Sequence, residues 1–196
     1  MHRFAMWALL LVGILAPAAP LVGEEYADSQ TGLRFPDKLG EFNRVAIEEY
    51  KDKNFGVRVS YQHSKIARLD VYIYHAGHKQ IGAGPDSEQV KSQYDQMKKG
   101  LYAVERAGLY SEVMLVSESQ PSLATPAGEL KFRQAYFTYK QKAPQAGGET
   151  LMHSHAYLTG YNDRFLKLRV TYTGADQEQA EAAHKKLLAD LAAIIK

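Results

Sequence analysis

The run LDVYIYHA at residues 69–76 decides the fold class of this chain, because aliphatic side chains alternate in it with polar and aromatic ones. Its aliphatic residues share one face of an extended chain, whereas Asp70 and two tyrosines share the other. Two earlier runs, 42–51 (FNRVAIEEYK) and 57–63 (VRVSYQH), also favour strands and are joined by the turn-forming residues DKN. The three runs predict an antiparallel meander.

A helix follows the meander. Between residues 90 and 104 the large apolar side chains recur in steps of four and three, which is the spacing of one helix face. Asp86 followed by Gln89 resembles a capping box at the start of this helix. Gly108 predicts its end, because glycine is favoured just after a helix.

The rest of the chain predicts a second group of strands and a closing helix. Four strand-like runs lie at residues 112–119, 129–141, 150–159 and 164–173. Apolar residues then repeat at helical spacing from 180 to 194, with Asp176 and Gln179 at the start. The order β-β-β-α-β-β-β-β-α indicates the α+β class, with an antiparallel sheet of about seven strands packed against two helices. We expect a single domain over 33–196, preceded by a polar arm over 24–32.

The first residues of the chain predict export. The apolar run FAMWALLLVGIL at residues 4–15 follows Arg3 and precedes small residues, which is the layout of a secretory signal peptide over 1–18. We expect cleavage after Ala18, with cleavage after Gly23 as one alternative and an uncleaved N-terminal anchor as the other. The apolar run is shorter than the about 20 residues that span a bilayer. The predicted mature chain is therefore periplasmic or secreted and has no transmembrane anchor.

Composition argues against several classes of function. The chain contains no cysteine, which excludes disulfides, thiolate metal sites and lipid attachment at a cysteine. Its formal net charge of +2 is too small to hold the whole chain on nucleic acid. The sequence also lacks the G-x-S-x-G motif of a hydrolase nucleophile, so no catalytic motif is predicted.

The clearest local motif is the pair His153 and His155, separated by one serine in a predicted strand. Residues two apart share a face, so both imidazoles can bind one Zn²⁺ or Cu²⁺ ion. His63, His75 or a carboxylate would complete such a site. The alternative interpretation is a pair of polar residues on a solvated sheet face.

The turn between the last two predicted strands decides where this histidine pair lies. A two-residue turn at Asn162 and Asp163 places His155 on the same face as Leu168 and Val170. A loop of odd length places it on the opposite face. The sequence leaves both alternatives open.

Five basic residues form a candidate partner-binding surface: Lys167, Arg169, Arg164, Lys131 and Arg133. Lys167 and Arg169 share one strand face, so their fields add toward an acidic protein, a lipid headgroup or a cell-envelope polymer. Alternatively, these charges form the solvated face of a half-buried sheet and protect its edges.

Two stretches resemble the PsbP family, which comprises an extrinsic subunit of photosystem II and its bacterial relatives. TGLRFP at 31–36 looks like the opening strand and proline of that fold, and YNDRF at 161–165 with VTY at 170–172 looks like its closing hairpin. The middle of the chain, at 54–61 and 70–74, is similar to small exported proteins of proteobacteria. The resemblance implies an α/β/α sandwich with an accessory or binding role, and it supplies no catalytic residues for this chain.

These observations predict a non-catalytic exported accessory or interaction module that binds a protein or a cell-envelope component. One alternative is a periplasmic metal-binding protein that uses His153 and His155 for Zn or Cu. Another is an envelope hydrolase whose catalytic residues come together only in the folded chain.

Overall fold

The computed structural model describes residues 23–63, 67–142, 148–174 and 177–195. The predicted signal peptide, its cleavage site after Ala18 and the predicted helix-start residue Asp176 lie outside these ranges. Within them, no helix combines the length and the apolar character needed to cross a lipid bilayer.

The described residues form short and long strands, two α-helices and one 3-10 turn. In chain order these are β1 (Tyr26–Ala27), β2 (Arg34–Phe35), β3 (Lys38–Leu39), β4 (Phe42–Glu49), the 3-10 turn (Lys53–Phe55), β5 (Val57–His63), β6 (Ala67–Tyr74), α1 (Glu88–Arg106), β7 (Tyr110–Ser119), β8 (Ser122–Thr125), β9 (Gly128–Lys131), β10 (Arg133–Lys142), β11 (Glu149–Tyr161), β12 (Arg164–Thr173) and α2 (Gln177–Ile194).

One antiparallel sheet organises the fold, in the strand order β3-β4-β5-β6-β12-β11-β10-β7. The two halves of the chain meet where β6 pairs with β12 in the middle of the sheet. The predicted α+β class with two helices is confirmed, and the predicted meander corresponds to β4, β5 and β6. Six of the seven longer strands match predicted runs, β10 covers most of the run predicted over 129–141, and the two-residue β3 is an additional eighth strand.

Each face of the sheet carries its own core. The core on the α2 side includes Val59, Leu168 and Leu187, whereas the core on the α1 side includes Val90 and Phe137. Because successive side chains of a strand point to opposite faces, neighbouring residues of β11 and β12 belong to different cores. The register of these two strands therefore decides which side chains share a site.

The hairpin between β11 and β12 has the two-residue turn that the sequence left open. Tyr161 pairs with Arg164, and the turn residues Asn162 and Asp163 have φ values of 47° and 57°. Asparagine and aspartate tolerate this left-handed conformation better than most residues, and two such positions favour a tight hairpin. His155 consequently lies opposite Val170, on the α2 side of the sheet.

The start of α1 differs from the predicted one. Ser87, not Asp86, is the N-cap, and its Oγ accepts a hydrogen bond from the backbone N–H of Val90 at 3.3 Å. Asp86 instead forms an ion pair with Arg133 at 3.0 Å. The predicted end is confirmed, since Gly108 follows the last turn with a φ of 72°, a conformation that favours glycine.

The single strand predicted over 129–141 is also wrong. The structure divides it at Phe132, whose backbone N–H donates to the carbonyl oxygen of Pro121 at 2.9 Å. The hairpin of β8 and β9 precedes this point and lies against α2. Leu123 and Leu130 of the hairpin are partly buried against the core on that side.

The polar arm predicted over 24–32 is tied to the rest of the fold. Its strand β1 pairs with β2, and the buried Asp28 accepts a hydrogen bond from the N–H of Thr31 at 2.8 Å. Asn162 of the final hairpin donates to the carbonyl oxygen of Thr31 at 3.0 Å. The arm therefore closes onto the sheet.

Candidate functional site

The predicted basic surface is not formed as expected, because two of its residues are inside the protein. Lys167 and Arg169 are only 4% and 3% exposed on the α1 side of β12. Tyr72 and Asp70 of β6 lie directly opposite them in the register. The two-residue turn that places His155 on the α2 side also places these two cations on the α1 side.

The other three residues of the predicted surface are scattered. Arg133 donates to the carbonyl oxygen of Pro85 beside the start of α1, in addition to its ion pair with Asp86. Lys131 lies 3.7 Å from Glu129 across an exposed ion pair. Arg164 donates to Gln30 of the N-terminal arm at 2.6 Å. The five residues therefore do not form one continuous surface, and a partner-binding role for them stays a prediction.

Lys167 and Arg169 belong instead to a group of charged residues that the sequence did not bring together. We define the cation cluster as Arg58, Arg68, Lys167 and Arg169 with the carboxylates of Asp70 and Glu48. These residues lie on β4, β5, β6 and β12, on the α1 side of the sheet.

The carboxylate of Asp70 occupies the middle of the cation cluster. Its Oδ1 accepts hydrogen bonds from Ser60 Oγ at 2.5 Å and from Arg68 Nε at 3.0 Å. Arg169 lies opposite Asp70 across the β6–β12 pair. Arg169 also donates to the hydroxyl oxygens of Ser154 at 3.1 Å and Tyr139 at 3.0 Å, which are neutral acceptors. The guanidinium group of Arg169 is therefore held by several hydrogen bonds.

The ammonium group of Lys167 makes no ion pair within the described part of the chain. Its Nζ lies 4.6 Å from the centroid of the Tyr72 ring, at the distance of a cation–π contact. Burial, reinforced by the charge of Arg169, lowers the pKa of Lys167 to about 7, while Asp70 acts in the opposite direction.

The opposite face of the sheet carries a neutral polar group, supplied by β10, β11, β12 and α2. We define the histidine cluster as His153, His155, His184, Tyr136, Tyr157 and Tyr172. Aromatic stacking holds it together: the rings of Tyr136 and His155 are 4.3 Å apart and 2° from parallel, and those of His153 and Tyr172 are 5.1 Å apart.

Hydrogen bonds connect the histidine cluster to its neighbours. The two ring nitrogens of His155 lie 3.1 Å from Gln134 Nε2 and 3.0 Å from the Tyr172 hydroxyl. The Tyr157 hydroxyl lies 2.9 Å from Nε2 of His184. Burial lowers the pKa of His155 to about 4 and that of His184 to about 3. Both imidazoles are therefore neutral at physiological pH.

The structure does not assemble the predicted metal site. His153 and His155 share a face as expected, but both nitrogens of His155 already have hydrogen-bond neighbours. His63 pairs with Glu41 at 3.0 Å, and Nδ1 of His75 accepts the N–H of Gly77 at 3.1 Å. Across residues 23–195, excluding the undescribed gaps, no group of three or more potential metal-binding side chains is found. Zn or Cu binding stays a prediction without a third ligand.

A different feature appears at the edge of the sheet. β7 is its last strand, and Met114 and Val116 are 58% and 46% exposed there. Leu109, which precedes the strand, is 51% exposed, and Leu151 of β11 is 45% exposed. The sequence predicted the strand but not its position at an edge, because strand order depends on pairing between distant segments.

No family model matches the chain, and neither does any curated protein. Solved structures with similar folds include the cyanobacterial PsbP of Synechocystis, with 12% identity over 89% of this chain and 96% of that chain and a TM-score of 0.47. A Mog1 mutant has 12% identity over 88% of each chain and a TM-score of 0.40. PA94 of Pseudomonas aeruginosa, a protein of unknown function, has 12% identity over 85% of this chain and 93% of that chain and a TM-score of 0.39. The similarity to these three structures concerns the fold alone.

Proposed function

We propose that this chain is a non-catalytic exported binding module that takes up an extended segment of a partner protein along β7. The observation that carries the proposal is the exposed apolar edge of the large sheet. An edge strand presents unpaired backbone N–H and C=O groups, and an extended peptide can add to it as a further strand.

The length of β7 suits this role. Its ten residues extend over at most about 33 Å, because two register shifts in its pairing with β10 interrupt the regular strand. Backbone hydrogen bonds would provide affinity, and the exposed side chains of Met114 and Val116 would select apolar residues in the partner.

The residues that usually protect an edge are absent from β7. Its sequence, YSEVMLVSES, contains no lysine, arginine or proline, the residues that commonly prevent unwanted pairing. Its two acidic residues form ion pairs within the chain: Glu112 pairs with Lys140 at 2.5 Å, and Glu118 pairs with Lys98 at 2.8 Å. The outer side of the strand therefore carries little repulsive charge toward an apolar segment.

A site-specific crosslink tests the proposal. A photo-crosslinking amino acid is placed at Met114 and, as the control, at the exposed Gln96 of α1, and the chain is expressed in its own cells. We expect one protein adduct at position 114 and not at position 96, and loss of that adduct in a Val116→Lys variant. Gln96→Lys, which adds the same charge on α1, should leave the adduct unchanged.

The segment of the partner protein that forms the crosslink is then made as a synthetic peptide. We expect it to bind the purified chain and to protect the β7 amides from hydrogen exchange, because it would pair with their strand. An adduct made only of two copies of this chain would contradict the proposed partner. Equal adducts at both positions, or a peptide that leaves the β7 amides unprotected, would contradict the proposed surface.

Export is tested separately by N-terminal sequencing of the chain from fractionated cells. We expect the mature chain in the envelope fraction to begin after Ala18 or after Gly23. A chain that keeps residues 1–18 and stays in the cytoplasmic fraction would contradict the proposed location.

A further inference from the structure

The cation cluster contains more positive charge than its own carboxylates neutralise. Four cationic side chains and two carboxylates leave an excess of two positive charges when Lys167 is protonated: Arg58, Arg68, Lys167 and Arg169 against Asp70 and Glu48. Buried cations are normally paired, because removal of a charge from water is unfavourable. The unbalanced charge therefore requires a physical explanation.

We propose that the cation cluster binds a small dianionic oxyanion, phosphate or a phosphate monoester, between Arg58 and Lys167. This site is independent of β7 and does not rest on the proposed function above. It assigns a ligand class to Lys167, whose burial the sequence did not predict.

Two polar groups in the cluster lack counterparts in the described residues. Lys167 makes no ion pair there, and the buried Nε of Arg58 has no hydrogen-bond partner. The Oδ1 of Asp70 already accepts from Ser60 and Arg68, so that oxygen serves other donors of the cluster. An oxyanion supplies several acceptor oxygens at once, and guanidinium groups bind it through charge-assisted hydrogen bonds.

The arrangement of the strands suits a small ligand. Arg58, Tyr72 and Lys167 occupy one row across β5, β6 and β12. The spacing of adjacent strands places the outer two backbones about 9.5 Å apart, so two long side chains can converge on one group between them. Tyr72 lies in the middle of the row.

The cluster is also accessible from one side. The side chains of Arg58 and Arg68 are 19% and 12% exposed, whereas Lys167 lies deeper. Glu48, whose side chain is 45% exposed, holds Arg58 through an ion pair of 2.7 Å. Glu48 therefore acts as an internal competitor that an incoming oxyanion would displace.

Calorimetry and thermal unfolding of the purified chain test this site at constant ionic strength. Inorganic phosphate, with chloride as the reference anion, should bind saturably and raise Tm. Glycerol phosphate and vesicles of phosphatidylcholine with phosphatidic acid are measured in parallel. Binding of free phosphate alone would identify the inorganic ion as the ligand, whereas tighter binding of glycerol phosphate or of the vesicles would identify a phosphate monoester.

Variants connect this binding to the named residues. Lys167→Met should weaken phosphate binding by about tenfold or more, because it removes the deepest charge of the site. Lys131→Gln, which removes an exposed lysine elsewhere, should leave binding unchanged. If Lys167→Met does not fold, Arg58→Gln near the surface should give the same weakening.

Glu48→Gln should have the opposite effect on phosphate binding to Lys167→Met. Loss of the internal competitor should tighten phosphate binding by about threefold or more, since Arg58 is then free to bind the ligand. The proposal would be overturned if the wild-type chain showed no saturable phosphate binding. It would also be overturned if Lys167→Met and Arg58→Gln bound phosphate as tightly as the wild type.

Discussion

The two faces of the β11–β12 hairpin bury polar groups in opposite ways. On the α2 side, His155 and His184 are neutral and close their hydrogen bonds with tyrosine hydroxyls. On the α1 side, Arg169 remains charged and Lys167 is close to its titration point. The two histidines come from β11 and α2 and the two cations from β12, so the two faces of the sheet differ in the side chains that these elements supply.

This difference shows what burial does to each type of base. An imidazole has a pKa near neutrality, so burial removes its proton and leaves a neutral hydrogen-bonding group. A guanidinium group keeps its proton at every pH that a protein encounters, so it needs a negative partner. Lys167 lies between these extremes. On the α2 side most polar groups pair with one another, and the buried Nε2 of His153 is left without a hydrogen-bond partner among the described residues, whereas the α1 side has charge available for a ligand.

The largest expected effect concerns the buried carboxylate. Asp70→Asn should destabilise the folded chain by about 3–5 kcal/mol, because it leaves Arg68 and Arg169 with no buried anion. Urea unfolding followed by circular dichroism measures the change. The matched control Glu48→Gln removes a half-exposed carboxylate and should cost less than about 1 kcal/mol. Equal unfolding midpoints for Asp70→Asn and the wild type would show that this carboxylate does not stabilise the cluster.

The histidine cluster should make the chain sensitive to acid. Burial lowers the pKa of His155 to about 4 and that of His184 to about 3, whereas an unfolded histidine titrates near 6.5. Below about pH 6.5 the unfolded state binds protons that the folded state does not, so stability falls as the pH falls toward 4. Each histidine contributes up to about 1.4 kcal/mol per pH unit over this window.

The measurement is the free energy of unfolding between pH 7 and pH 4.5, with His184→Gln as the comparison. The variant should lose a smaller part of its stability over this range than the wild type. Parallel curves for the two proteins would indicate that His184 is solvated and titrates normally.

Lys167 should make the free energy of unfolding depend on pH in the alkaline range, by a smaller amount than the histidines do in acid. Its pKa is lowered to about 7 in the folded state, against an ordinary value near 10.5, so the unfolded state binds more protons between these values. Stability should therefore rise as the pH increases from 7 toward 10. In Lys167→Met this rise should be absent, and at pH 7 the variant should be as stable as the wild type or more stable by about 1 kcal/mol. A variant that keeps the alkaline rise would assign it to other groups.

The smallest expected effect is at the sheet edge. Met114→Lys and Val116→Lys should change the free energy of unfolding by less than about 0.5 kcal/mol, because both side chains are exposed. The same substitutions should abolish partner binding at β7. Thermal unfolding of the two variants checks the first expectation. A large loss of stability would show that these residues pack against the protein and are not a free surface.

The sequence was sufficient to predict the strands and helices, but it was insufficient to predict which distant strands pair in the sheet. The alternation of side-chain types over 69–76 and the helical spacing of apolar residues from 90 to 104 are local patterns in the chain. They therefore predict β6 and α1 well. The opposition of Asp70 and Arg169 depends on β6 pairing with β12, and these strands are far apart in sequence. No local pattern encodes that contact.

The burial of Lys167 and Arg169 was missed for a related reason. Alternating charges beside Leu166 and Leu168 are typical of a strand with one solvated face, but β12 lies in the middle of the sheet and is buried on both faces. One signal was available: Asp70 stands inside the otherwise uncharged run LDVYIYHA, and a charge at such a position usually has a buried partner.

On one face burial keeps the histidines neutral and on the other it leaves Lys167 near its titration point, and site-resolved NMR titration tests this difference most directly. The carbon signals next to Nζ of Lys167 and the ring signals of His155 and His184 are followed from pH 4 to pH 11. We predict that Lys167 titrates near pH 7, well below the exposed lysines, and that both histidines remain neutral down to about pH 4. Titration of Lys167 near 10.5 together with both histidines near 6.5 would contradict the account, because it would place both groups in contact with solvent.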